Sequence, residues 1–108
     1  MGNKTSLEEK LHTLARVTKL GGEDRVIEQT VTKLIAYTAE RHRRDLEDIA
    51  TKLRDLEIRF GMLSAQFAEQ FQRGELADDE ASFRWDALLE MQRRVAQRLA
   101  MLQADASL

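Results

Sequence analysis

The chain has 108 residues, enough for one small domain and too few for two separate cores. At 43% hydrophobic and 33% charged it is too apolar for a disordered tail, and the absence of proline argues against a sandwich of short strands and turns. The absence of cysteine excludes disulfides, thiolate zinc sites and a cysteine nucleophile, and at a net charge of −2 no segment has the strong positive excess expected of a nucleic-acid surface.

The start, Met1 to Ser6, lacks the apolar segment of a secretion signal, and no apolar run approaches the roughly 18–20 residues that span a bilayer. A cytoplasmic protein without membrane contact is expected. Ser6 and Glu9 form the pattern of a capping box. Leu7, Leu11, Leu14 and Val17 follow at helical spacing, and Gly21-Gly22 supplies a stop, so a first helix is predicted over about 7–20. It is too short to persist alone in water and must pack on something, for instance by folding back over residues 24–37.

Glu23 and Asp24 place negative charge at the start of the next helix, where the macrodipole favours it, and no breaker appears before Gly61. A long helix over 23–60 is predicted. Its apolar stripe has two parts, Ile27, Val31, Leu34 and Thr38, then Leu46, Ile49, Leu53, Leu56 and Phe60. The second part alternates steps of three and four, as a coiled-coil seam does, and a stutter through Thr38, His42 and Leu46 joins the two. His42 on that seam reads as a packed polar residue that sets register.

At the join stands a basic cluster, Arg41 to Arg44, which invites an anion or RNA contact. Helical spacing gives it a plainer role, in ion pairs Arg41–Asp45, Arg43–Glu47 and Arg44–Asp48 on a solvated face. Only two histidines, His12 and His42, stand far apart, so no metal or acid–base cluster emerges.

Gly61 closes the long helix, Ser64 is placed to cap a short helix over about 65–73, and Gly74 ends that one. Phe67 and Phe71 share a side of it, and Leu76 plugs the gap that follows. Asp78 or Asp79 then caps a last helix over about 79–103, whose stripe is Ala81, Trp85, Leu88, Gln92, Val95, Leu99 and Leu102. Ala104 to Leu108 is expected to fray. The fold class is therefore all-α, an elongated antiparallel helical hairpin or coiled coil in one domain over 1–108, with a short helical corner and an N-terminal helix.

The corner carries most of the acid: residues 61–82 hold five acidic groups against one basic group. Glu75, Asp78, Asp79 and Glu80 lack the alternating ligand spacing of a calcium loop, and helix capping accounts for them more simply. The residue chemistry calls for no catalytic group, cofactor or metal. Glu75 and Asp79, with Arg41 and Arg44, are the candidates for contact with a partner. Phe60, Gly61, Met62, Phe67, Phe71, Gly74, Leu76, Phe83 and Trp85 are the candidates for the corner's own core, with Phe67, Phe71, Leu76, Phe83 and Trp85 expected to be buried.

The run Phe60-Gly61-Met62, Ser64, Phe67, Phe71, Gly74-Glu75-Leu76, Asp78-Asp79, then Trp85 and Leu88, resembles a family of short helical proteins of bacteria and archaea. In that family a long helix ends in Tyr/Phe-Gly-Met, and Gly-Glu-Leu-Gly-Asp-Asp precedes a helix carrying a tryptophan. Members commonly lie beside genes for small toxin-like proteins and are read as antitoxins of toxin–antitoxin pairs. The resemblance covers residues 56–91, and Leu63, Ala65 and Ala77 depart from it. It implies a protein-binding module that neutralises a cognate toxin through a helical surface.

Thin helices in an extended layer bury little per residue, so a homodimer is the expected completion. One alternative is a structural or adaptor coiled coil that only oligomerises. A ribbon-helix-helix DNA-binding regulator, with Leu14 to Leu20 as its ribbon, would need a break within residues 23–60, which hold neither glycine nor proline. The Arg-then-His spacing of helical toxin ribonucleases precedes neither histidine, and no enzyme is expected.

Overall fold

The computed structural model describes residues 6–21 and 24–106. Every regular element among them is α-helical: α1 (Leu7–Gly21), α2 (Arg25–Phe60), α3 (Ser64–Gln72) and α4 (Glu80–Ala106). The chain is thus all-α, as its composition and spacing require. Gly22 and Glu23, assigned above to a helix stop and a helix start, lie outside the described residues, as do Ser107 and Leu108 in the segment expected to fray. No helix among the described residues is long and apolar enough to cross a membrane. Two compact units form, residues 1–34 and 35–108, and α2 contributes to both.

In the first unit, Ser6 Oγ accepts the Glu9 N–H at 3.0 Å and so caps α1. Asp24 Oδ1 accepts the Val26 and Ile27 N–H groups at 3.0 and 3.1 Å and does the same for α2. These caps satisfy backbone donors that a helix start leaves open. Packing is a different matter. α1 buries no side chain, and along this part of α2 Ile27 and Val31 are half-buried while Val26 and Leu34 stay exposed. Leu14 to Leu20, the segment a DNA-binding ribbon would need as strand, is helix.

The second unit is a helical hairpin. Leu56 near the end of α2 and Trp85 in the second turn of α4 share one buried cluster with Ile49, Leu53, Phe67 and Leu88, so α2 and α4 run antiparallel from the corner. On α2 the protected stripe of this unit runs through Ile35, Thr38, Ala39, His42, Leu46, Ile49, Leu53 and Leu56, with alternating threes and fours from Ala39 onward. Thr38, His42 and Leu46, where a stutter is expected, are all half-buried, and Ala39 beside them is buried. A search for large apolar side chains passes over an alanine, yet a small residue is what a close helix approach admits.

The α4 stripe repeats the same steps through Trp85, Leu88, Gln92, Val95, Leu99 and Leu102, all at least half-buried. Near the corner Trp85 and Leu88 share the buried cluster with Ile49, Leu53 and Leu56, and Val95 packs against it. His42 lies on the seam half-buried, with Nδ1 shielded and without a hydrogen-bond partner.

Two glycines turn the chain at the corner. Gly61 has φ +61°, a conformation that costs an L side chain roughly 1–2 kcal/mol. It ends α2 with the Met62 N–H bonded to the Glu57 carbonyl at 3.2 Å. Gly74 has φ +72° and ends α3 in the same way, with the Glu75 N–H on Gln70 O at 3.0 Å and its own N–H on Phe71 O at 3.1 Å. Nothing lies within 4 Å of a Cβ added at Gly61, so a substitution there meets only the backbone penalty.

Two stability predictions follow from this packing. Trp85→Ala removes the centre of the cluster and should cost about 3–5 kcal/mol in chemical denaturation. Gly61→Ala should cost about 1–2 kcal/mol, and Gly61→Asn less, because asparagine enters the left-handed region more readily. Equal losses for the two Gly61 variants would mean that the left-handed turn is not what holds the corner.

Candidate partner-binding surface at the corner

Trp85 is 3% exposed, and its ring stacks on Phe67 with centroids 4.3 Å apart and planes 6° from parallel. Phe67, itself 1% exposed, stacks on Phe71 at 5.3 Å, and Phe60 lies against Trp85 at 5.9 Å. The indole N–H cannot be left without an acceptor in such a place. It donates to Ser64 Oγ at 3.0 Å, and the Ser64 backbone N–H donates to Glu57 Oε2 at 2.8 Å. One chain of hydrogen bonds therefore ties α4 to α3 and α3 to α2.

This arrangement corrects the expected cap of α3. Ser64 is its first helical residue, and Leu63 occupies the cap position with an extended backbone, φ −75° and ψ 149°. A leucine side chain accepts no hydrogen bond, so the open donors are met from elsewhere: Ser64 by Glu57 of α2, and Leu63 by Gln66 Oε1 at 3.1 Å. Departures from the resembled family at Leu63 and Ala65 thus leave the helix capped. Glu57 is the residue that sequence reading missed. The available signal was a carboxylate one turn before a helix-ending glycine, followed by a serine at the start of a short helix.

Asp79 is the cap of α4, with Oδ1 accepting the Ser82 N–H at 2.8 Å. Hydrogen bonds from the Ser64 hydroxyl and then its N–H hold Glu57 below the usual carboxylate range, with nearby Arg54 acting in the same direction. The Ser82 N–H and then its hydroxyl hold Asp79 low in the same way.

Around this core the corner stays partly open. Phe60 is 45% exposed and lines a recess of about 240 Å³ together with Trp85, Phe67, Met62 and Leu76. Its remaining wall is Ala77, Asp79, Ala81 and Ser82. Phe83, expected in the core, is 55% exposed and meets Phe71 edge-to-face with centroids 6.2 Å apart. Phe71 and Leu76 are half-buried, Met62 likewise, and the two glycines are at the surface. A second groove collects Lys52, Arg59 and Arg84 with Asp55, above Leu56 and Leu88. Sequence reading did not find it, because its cations come from two helices.

Of the other candidates, Arg41 and Arg44 lie away from the corner, on α2. Arg41 lies over the Tyr37 ring at 5.9 Å, and Arg44 pairs with Glu40 at 3.5 Å. Arg43 also turns to Glu40, at 3.0 Å, so the basic cluster looks back along α2 and not forward to Asp45, Glu47 and Asp48. Glu75 is exposed, with Arg73 4.0 Å away. Among the described residues no group of three or more His, Cys, Asp or Glu side chains is placed to hold a metal ion. Compared with known protein families, with curated proteins and with solved structures, the chain matches none.

Both capping carboxylates ionise more readily in the folded chain than in the unfolded one. Their contribution is complete above the ordinary values of 4.5 for Glu57 and 3.8 for Asp79, and is lost as pH falls through the lower folded-state values. Unfolding followed by denaturant from pH 6 downward should show stability declining in that acid window. Glu57→Gln, which keeps an acceptor for Ser64 but does not titrate, should flatten the decline. An identical pH profile for the variant would remove Glu57 from this role.

Proposed function

We propose that this chain is a non-catalytic protein-binding module, antitoxin-like, that works in the cytoplasm as a homodimer and neutralises a partner toxin through its helical surface. The observation that carries this reading is the state of α1. Leu7, Leu11, Leu14, Val17 and Leu20 form a continuous apolar stripe, and each is 40% exposed or more. Burying such side chains is worth about 1.5–3 kcal/mol apiece, a large fraction of the stability of a small domain. A stripe of this kind left open in a single copy is one that another polypeptide covers. The resemblance of the corner to antitoxins of toxin–antitoxin pairs favours a toxin as that polypeptide.

The same stripe is compatible with the alternative, a structural coiled coil that only associates with itself. The solution mass separates the two. Measured by light scattering alone and with the product of the neighbouring gene, it should rise in the mixture, and co-expression should rescue growth from that product's toxicity. A closed oligomer indifferent to the neighbour, with no rescue, favours the structural alternative. The double variant Leu11→Glu/Leu14→Glu should lower the mass or abolish the complex while the emission of Trp85, the sole tryptophan, stays that of a buried indole. Unchanged assembly in that variant would take the α1 stripe out of the interface.

A further inference from the structure

The recess beside Trp85 is smaller than the roughly 300–1,000 Å³ of sites that take cofactors or small-molecule ligands, and its size suits a single bulky side chain. Its floor is aromatic and its rim is charged, the layout of an interface centre that receives an anchor residue. The rim also has a sign. Asp79 lines the recess, Asp78 and Glu80 adjoin it in the chain, and Glu75 precedes the lining residue Leu76. Asp78, Asp79 and Glu80 make no ion pair among the described residues. Asp79 spends one oxygen on the α4 cap and retains its charge. Over residues 61–82 one cation stands against five anions, so this part of the surface repels acidic partners and attracts basic ones.

We propose that this recess docks a cationic polypeptide segment of the partner, which inserts one large apolar side chain against Phe60 and Trp85 and sets its lysines or arginines against Asp78, Asp79 and Glu80. The proposal rests on the binding-module reading and names the chemistry of its partner. Phe60 is the receiving wall: the residue is 45% exposed, with the chain's own Arg59 5.2 Å from its ring centroid. A second copy of this chain is the weaker occupant. Its own cationic groove, with Lys52, Arg59 and Arg84, lies over Leu56 and Leu88, which are already buried and offer no anchor.

The test uses the full chain, labelled with ¹⁵N, and a synthetic peptide with one phenylalanine between two pairs of lysines. Expected are saturable shifts at the Trp85 indole N–H and at the Ala77 and Ala81 amides, weakening as salt rises. Replacing the phenylalanine by alanine should weaken binding about tenfold or more. Two variants of exposed rim residues avoid the fold's own supports: Ala77→Leu, which fills the recess, and Asp78→Lys/Glu80→Lys, which reverses its rim. Each should weaken the peptide by about tenfold while Trp85 emission stays unchanged.

The proposal is overturned if the peptide leaves those resonances unmoved, if both variants bind it as tightly as the parent, or if a glutamate-flanked peptide binds equally well. It is also overturned if the same resonances move with chain concentration alone and Ala77→Leu lowers the solution mass, since a second copy then fills the recess. Any of these results beside a heavier complex with the neighbouring gene's product removes the recess and leaves the binding-module reading standing.

Discussion

The second unit depends on placing one indole where both its demands are met. Trp85 needs apolar surface on its faces and an acceptor at its edge. Phe67 and Phe60 supply the first, and Ser64 supplies the second. Ser64 can serve only because it opens α3 directly after the left-handed turn at Gly61, and because Glu57 holds its backbone N–H from the preceding helix. The glycine turns, the short helix and the carboxylate are therefore parts of one arrangement, and α4 takes its place from it.

Away from this centre the packing thins in a definite order. Near the corner the seam is closed by Ile49, Leu53 and Leu56 against Trp85 and Leu88. Further along it becomes smaller and more polar, with His42 and Ala39 on one helix and Gln92 on the other. The first unit has well-made helix caps and no buried side chain on α1. Local hydrogen bonds alone do not hold a fifteen-residue helix strongly. The chain thus combines an end built on a buried core with an end whose apolar residues stay exposed.

Much of this was legible in the residues. Alternating steps of three and four located α4 and its stripe, Gly61 and Gly74 marked the turns, and Asp79 marked a helix start. What the sequence withheld has physical causes. Ala39 is buried although an alanine carries little hydrophobic signal of its own. Phe83 carries a strong signal yet stays largely exposed, because its position on α4 is off the stripe shared by Trp85 and Leu88. The cap of α3 by Glu57 spans seven residues across a turn, beyond the three-residue spacing of a capping box, so its signal lies in the carboxylate–glycine–serine order and not in the box pattern. The open recess depends on how three segments meet, so no single stretch announces it.

The separation in sequence of the groups that close the corner has a kinetic meaning. Ser64 and Trp85 lie 21 residues apart, and the contacts of α3 with its flanking turns are shorter still. The entropy of closing a loop rises slowly with its length, so these are the least costly tertiary contacts that the second unit has to offer. Any contact between the far ends of α2 and α4 would enclose most of that unit. Once the corner has closed, each further pair along the seam adds only a short increment of chain. The hairpin is thus expected to nucleate at Trp85 and close from there toward its open end, in the fast regime of folds built from local contacts.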